Sequence, residues 1–413
     1  MSDFENVSFG IAEASAGGAA GASLAARMVR RLVPRLDFGC LRVMLPNGDV
    51  VSIAGRAPGP HAAITLRRWR ALRRVATGGD IGFAEAYIAG DWTSADLVGL
   101  LRLAARNTAS MRRADGGWWL WRAIERLRHN GRANSRRGSR RNIMAHYDLG
   151  NAFYARWLDG AMQYSSGLYA DAAETLESAQ QRKLARIAEL LELAGGESVL
   201  EIGCGWGGLA ERLASRHDAS VTALTLSPAQ RAWAEKLAAE SGMGARIDVR
   251  LQDYRDVEGS FDRIVSIEML EAVGQAWWPT YFRTLRERLK PGGRAVIQVI
   301  TLDEQRFETY RRTPDFVQKY VFPGGFLPSV TALKSEIAVA GLNLARSETF
   351  GLSYARTLAE WRARFLAHWP QISNQGFDER FLRLWTYYLC YCEAAFLEGA
   401  IDVGLYVIEK PAV

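Results

Sequence analysis

The sequence predicts an α/β fold: a doubly wound, mostly parallel sheet preceded by a smaller α+β unit. Three observations carry that expectation. From about residue 177 onward, apolar strand-like runs alternate with helix-like runs at the pitch of successive βα units. The stretch VLEIGCGWGGLAERL (199–213) passes from an apolar strand through glycines at 203, 205, 207 and 208 into a helix-forming run. At 413 residues, the chain exceeds what one hydrophobic core usually covers.

Each element follows in order. Residues 1–37 carry acids where a signal peptide would carry lysines, and their apolar stretch is diluted with glycine, so a loosely ordered start is expected. CLRVMLPNGDVVSI (40–53) reads as two short strands around a Pro-Asn-Gly-Asp turn. AAITLRRWRALRRVAT passes from a strand into an amphipathic helix, and further helices follow, with Ser94 as an N-cap. These make a small α+β unit over 38–108. Residues 109–142 form a linker, in which 111–141 carries ten arginines against Asp115 and Glu125, beside WWLW (118–121). The larger domain spans 143–413. Its first long helix (177–196) ends in glycines suited to a C-cap. Strands SVLEIG, SVTALTLS, RIDVRLQD and FDRIVSIEML follow, with helices starting at 208 and 228 between the first three. A helix over 277–290, a KPGG turn, the strand RAVIQVIT and a final edge strand VGLYVIEK complete the domain.

Composition narrows the class. Hydrophobic residues at 48% and charged residues at 23% fit an ordinary globular protein. The net charge of +7 is a mild basic bias, and the arginine-rich linker suits phosphate on nucleic acid or on anionic lipid. Four cysteines in a chain this long do not make a disulfide framework. Cys390-x-Cys392 has no second pair at ligand spacing, which favours buried thiols over a metal. No apolar run reaches the roughly 18–20 residues that span a bilayer. A cytoplasmic protein is expected.

In a doubly wound sheet, ligands bind beyond the carboxyl ends of the strands. The glycine run is not a P-loop, because no Gly-Lys-Ser/Thr follows. A dinucleotide site would place an acid at the end of the second strand, which instead ends LTLS. Glu201, Gly203 and Gly205 at the first strand, and Asp253 and Tyr254 after the third, match the spacing of an S-adenosylmethionine (SAM) site. The first strand would cradle the methionine part, the second the ribose and the third the base.

The segments AHYDLGNAFYARWLDGAMQYSSGLY (145–169), IVSIEMLEAVG (264–274) and KYVFPGGFLPS (319–329), together with GCGWGG and LTLSPAQ, narrow the chemistry further. Over 143–410 they resemble the cyclopropane fatty-acyl-phospholipid synthase family, which includes the mycolic acid cyclopropane synthases. The resemblance implies a Rossmann-like class I SAM-dependent methyltransferase domain behind a small lipid-associated domain. It implies methyl transfer to the double bond of an unsaturated phospholipid acyl chain, giving a cyclopropane or a methylated, methyl-branched chain. An isolated alkene is a poor nucleophile, so such a site must position it and exclude water. Tyr164 and Ser165 would close over the cofactor, and the resemblance implies that Gly207, Thr225, Leu226 and Gln230 line it together with Gly203, Gly205, Asp253 and Tyr254. In the family, a bound bicarbonate takes the proton that is lost, held by a backbone at a cysteine position, a glutamate, a histidine and a tyrosine. On this chain the glutamate is Glu271 and the tyrosine Tyr354. The cysteine position is Ser166, the residue after the glutamate is Ala272 rather than histidine, and the histidine of a His-Thr-Ile motif is Gln298, with Ile300 two residues on. Gln298 donates a hydrogen bond but does not titrate near neutral pH.

Plainer roles stand beside these. Glu268 and Glu271 read in isolation as solvated, Asp148 as structural, and His146 as a cap, a core residue or a neighbour of the site. Two other functions compete: a same-fold methyltransferase acting on a small soluble amine, and a nucleic-acid binder using the linker. The linker's aromatics are confined to one end, which disfavours nucleic acid. The expected partner is a phospholipid membrane surface, met peripherally from its inner face, with a homodimer as a further option and no metal.

Overall fold

The computed structural model describes residues 23–32, 36–108 and 149–412. The arginine- and tryptophan-bearing linker, His146 and Asp148 lie outside them, as does most of the N-terminal stretch.

The N-terminal unit begins with α1 (Leu24–Leu32). Strands β1 (Phe38–Met44) and β2 (Val50–Ala54) pair antiparallel, and β3 (Ala57–Leu66) runs parallel to β1. Helix α2 (Arg70–Ile88) breaks at Gly79, whose φ of +56° suits glycine. The short β4 (Trp92–Thr93) and α3 (Leu97–Arg106) finish the unit, with sheet order β2-β1-β3-β4. The N-cap of α3 is Asp96, which accepts from the Gly99 N–H at 2.8 Å, and not Ser94. The Ser94 hydroxyl donates instead to the Ala63 and Asp96 carbonyls, tying the chain to β3 before the helix starts.

The larger unit opens with α4 (Asn151–Tyr154) and α5 (Leu176–Leu191). Helix α5 ends with Glu192 in the left-handed conformation, so the glycines at 195 and 196 fall in the turn beyond it. Then come β5 (Ser198–Ile202), α6 (Gly208–His217), β6 (Ser220–Thr225), α7 (Pro228–Glu240), β7 (Ile247–Leu251) and β8 (Phe261–Ile267). After β8 lie α8 (Leu270–Val273), α9 (Trp278–Arg288), β9 (Leu289–Leu302), α10 (Glu304–Tyr310), α11 (Phe316–Tyr320) and α12 (Val330–Val339). Strand β10 (Asn343–Thr349), helices α13 (Gly351–Ala367), α14 (Trp369–Ser373) and α15 (Glu379–Leu397), and β11 (Ile401–Glu409) complete the chain.

The sheet order is β10-β11-β9-β8-β5-β6-β7, parallel from β9 to β7, with β11 antiparallel to both its neighbours. The order reverses at β5, which places a crevice beyond the carboxyl ends of β5 and β8. The VGLYVIEK strand is interior rather than an edge. Val403 through Ile408 are all buried, as an apolar run without alternation implies. The edge is β10, whose polar NLARSET gave no strand signal.

A single apolar cluster joins the two units: Leu100, Leu101 and Leu103 of α3 share it with Tyr387, Tyr388 and Phe396 of α15. Arg102 and Arg106 both pair with Glu398 across that contact.

Candidate active site

A cavity of about 1220 Å³ runs from the carboxyl ends of β5 and β6 past the end of β8 into the N-terminal unit. Its two ends are built differently.

At the β5 end, Gly203 and Gly205 hold φ of +85° and +54°. Nothing lies within 4 Å of where a Cβ on Gly205 would be, so bare backbone faces the cavity. Gly207 does not border the cavity. A Cβ there would meet the Ala234 Cβ at 2.8 Å, so this glycine lets α6 approach α7. Thr225 donates to Gln230 Oε1 at 3.0 Å and accepts from the Ser227 N–H at 3.1 Å, and both side chains and Leu226 border the cavity. Tyr254 also borders it. Asp253 does not: its carboxylate caps its own turn and binds Arg255 through the backbone N–H and the guanidinium at 3.0, 2.8 and 2.6 Å. Its neighbour Gln252 reaches the cavity instead.

Two buried polar atoms at this end lack a partner among the described residues, Glu201 Oε2 and the Tyr254 hydroxyl. Burial pushes the Glu201 carboxyl up to about 8. An acceptor, a donor and a bare glycine turn fit the amino group, hydroxyls and base of SAM.

At the other end the central group is Glu268, not Glu271. Glu268 follows β8 with φ of +49°, a conformation uncommon for a non-glycine residue. Its Oε1 accepts from the Ser166 N–H at 2.9 Å and from Gln298 Nε2 at 2.6 Å, and its Oε2 accepts from the Tyr354 hydroxyl at 2.6 Å. Ser166, Gln298 and Tyr354, three of the four groups expected to hold a bicarbonate, therefore converge on a carboxylate of the chain itself. Glu271 stands apart, with Oε1 accepting from the Ile300 N–H at 2.6 Å and Oε2 unpartnered among the described residues. Neither glutamate is solvated: both are buried enough to raise the carboxyl, Glu271 to about 8, and the Glu268 charge adds to that rise. For Glu268, Tyr354, Ser166, the Lys183 ammonium and Gln298 oppose the effect of burial.

Lys183 of α5, unnoticed in the sequence, is fully buried behind this end. It donates to Ser165 Oγ at 2.6 Å, while Gln180 Nε2 donates to the Ser165 carbonyl at 2.8 Å, and together they fix the loop that presents the Ser166 N–H. Burial pushes the ammonium down to about 8 against the fields of Glu268, Asp159 and Glu201. The hydroxyl of Tyr164 lies 3.1 Å from that of Tyr388, and its ring packs on Trp361. The Tyr354 ring stacks on Phe396 at 4.5 Å.

A model of mycolic acid cyclopropane synthetases matches residues 134–405. The chain belongs to that family. Among curated relatives, the tuberculostearic acid methyltransferase UfaA1 of Mycobacterium tuberculosis is 38% identical over 93% of this chain and 90% of its own. The cyclopropane-fatty-acyl-phospholipid synthase of Escherichia coli is 38% identical over 87% and 89%. The crystal structure of mycolic acid cyclopropane synthase CmaA1 with SAH and CTAB, 29% identical, superposes with a TM-score of 0.62 over 66% of this chain and 98% of that one. This member of the family is a SAM-dependent class I methyltransferase, and its relatives include named fatty-acid and lipid methyltransferases.

Proposed function

We propose that the enzyme methylates the double bond of an unsaturated acyl chain on a membrane phospholipid, and that Glu268 is its base. The observation that carries this reading is the convergence of Ser166, Gln298 and Tyr354 on the Glu268 carboxylate beside an extended apolar cavity. The names of the two 38% identical relatives support the acyl substrate.

Glu201, Gly203, Gly205, Thr225, Leu226, Gln230 and Tyr254 would hold SAM, with Tyr164 and Ser165 closing over it. When bound, it supplies an electrophilic methyl group. Apolar residues such as Leu41, Ile64, Leu66 and Leu101 line the far part of the cavity and would hold the acyl chain out of water. The alkene's π electrons would form the new carbon–carbon bond to that methyl group as its bond to sulfur breaks and the electron pair stays on sulfur, leaving a cation on the neighbouring chain carbon. The Glu268 anion and the ring of Tyr354 would stabilise it. Glu268 then takes a proton. Loss from the new methyl group with ring closure gives a cyclopropane. Loss from it after a 1,2-hydride shift gives a methylene branch. Both products gain one CH2 and need no oxidant or reductant. Glu271, held neutral near physiological pH, would shape the site without taking the proton. The 38–108 unit would work with the catalytic domain at the inner membrane face.

Mass spectrometry of total fatty acids from a host rich in monounsaturated phospholipid tests this. Wild-type enzyme should add one CH2 per modified chain, and hydrogenation separates the ring, which resists it, from the methylene branch, which takes it up. Glu268→Gln should abolish the change while SAM still binds. Lipids left unmodified by the wild type would sink the acyl substrate and return the soluble-amine alternative.

A further inference from the structure

Charge is unevenly spread along the chain. Residues 23–75 hold eleven arginines against Asp37 and Asp49, a net +9 in a chain whose total is +7. Five of those arginines, Arg67, Arg68, Arg70, Arg73 and Arg74, directly follow β3, at an end of the N-terminal sheet where apolar side chains are exposed. In the register of the strands, Met44 lies opposite both Val50 and Thr65, and Trp69 follows Thr65 by four residues. Met44, Val50 and Trp69 are each 44% exposed, unusual for such large apolar groups in one place. Around Trp69 stand the exposed Arg67, Arg68, Arg70 and Arg73. The fully buried Asp91 binds Arg70 and Arg74 and lies 3.6 Å from Arg68, so one carboxylate serves three guanidiniums. Arg67 and Arg73 have no acidic partner among the described residues.

The same helix borders the cavity. Leu72, Arg74, Val75 and the break at Gly78 and Gly79 line it. So do Ala76, Thr77 and Asp80, which are also exposed, and the cavity therefore reaches the surface at the break. From Trp69 to Gly79 is about 15 Å of helix, close to half the thickness of a bilayer's hydrocarbon layer.

We infer that Met44, Val50 and Trp69, ringed by Arg67, Arg68, Arg70 and Arg73, form the face that docks an anionic lipid bilayer, with the α2 break as the portal for the acyl chain. This rests on the acyl-phospholipid reading and adds the surface through which the substrate arrives. The arginines supply charge complementary to anionic headgroups, and a tryptophan among them suits the interfacial layer. Two acids adjoin this surface: Asp49, next to Val50, accepts hydrogen bonds from Ser23 and Asn47, and Asp80 borders the cavity at the portal.

Flotation of the full-length protein with phosphatidylcholine vesicles, with and without phosphatidylglycerol, tests the surface. Wild type should float with the phosphatidylglycerol vesicles and be released by salt. R67E/R73E should weaken that partitioning at least about tenfold. Trp69→Ala should weaken it by a smaller factor that salt does not alter. A double variant that floats like wild type would overturn the assignment, as would wild type shifting single-stranded RNA in preference to binding vesicles. Turnover of unsaturated phospholipid dispersed in non-ionic detergent is measured alongside. R67E/R73E should match wild type there, and a comparable loss in detergent would place the arginines in the fold or site rather than at the membrane. Wild type inactive in detergent would sink the acyl-chain chemistry, while flotation would still decide the docking face.

Discussion

The two ends of the cavity solve opposite problems with opposite materials. The β5 end is made largely of backbone and short neutral side chains: two positive-φ glycines, Thr225, Leu226 and Gln230, with Glu201 as its buried carboxyl. The β8 end is made of long titratable side chains brought in from distant elements, Glu268, Glu271, Tyr354 and Lys183. A cradle for a bound cofactor needs shape, and shape is set by local backbone. A proton acceptor in a dry site needs donors enough to stay ionised. A hydrogen bond to a charged group is worth roughly 1.5–3 kcal/mol. Glu268 receives three and has the Lys183 ammonium nearby, while Glu271 receives the Ile300 N–H beside an unpartnered oxygen. The donors distinguish two glutamates that burial alone treats alike.

The largest effect should come from separating that pair. Glu268→Gln should lower kcat by about 10²–10⁴-fold, the usual contribution of a positioned base. SAM affinity, read by calorimetry, should hold because the two ends share no ligand. Glu271→Gln should cost less than about tenfold, since an amide oxygen still accepts from Ile300. If Glu271→Gln proved the more damaging, the base would be Glu271 and the three donors on Glu268 would be structural.

Tyr354→Phe should come next. Loss of the hydroxyl at Glu268 Oε2 removes one charge-assisted bond, about a tenfold to hundredfold fall in kcat. The sign of the accompanying pH effect is fixed. The hydroxyl lowers the Glu268 carboxyl against the rise caused by burial, so removing it raises that carboxyl further. The acid limb of the kcat profile should therefore move to higher pH. An unmoved limb would mean that Tyr354 acts through packing on Phe396 rather than through Glu268.

The same contrast explains what could be read from sequence. That Gly203, Gly205 and Tyr254 border one cavity was legible because the strand-turn-helix spacing that positions them lies within short stretches of chain, and the family motifs added Thr225 and Gln230. Asp253, in an equally local pattern, falls outside the cavity, because a carboxylate at the start of a turn can cap that turn, and with Arg255 two residues on it does so. Glu268 carried no local signal. Its donors stand 102, 30 and 86 residues away, and only the packing of α5, β9 and α13 around β8 assembles them. Lys183 sits among ordinary helix residues, where nothing in the pattern marks it as buried. The interior place of β11 is long-range in the same way, since its partner β10 is too polar to announce itself.

Two glycines at the cofactor end sharpen the comparison with the smallest effects. Both Gly205 and Gly207 hold positive φ, so an alanine at either should destabilise the fold by about 1 kcal/mol through the backbone. Beyond that they diverge. A methyl at 207 collides with the Ala234 Cβ at 2.8 Å, and overpacking adds about 1–3 kcal/mol, so Gly207→Ala should melt lower with SAM affinity little changed. A methyl at 205 meets no protein atom within 4 Å and projects where the cofactor would lie. Gly205→Ala should therefore keep most of its melting temperature and lose SAM affinity. Equal losses of both properties in the two variants would mean that the turn acts as one rigid unit. Unchanged affinity in Gly205→Ala would move the cofactor away from this turn, and with it the methyl group from Glu268.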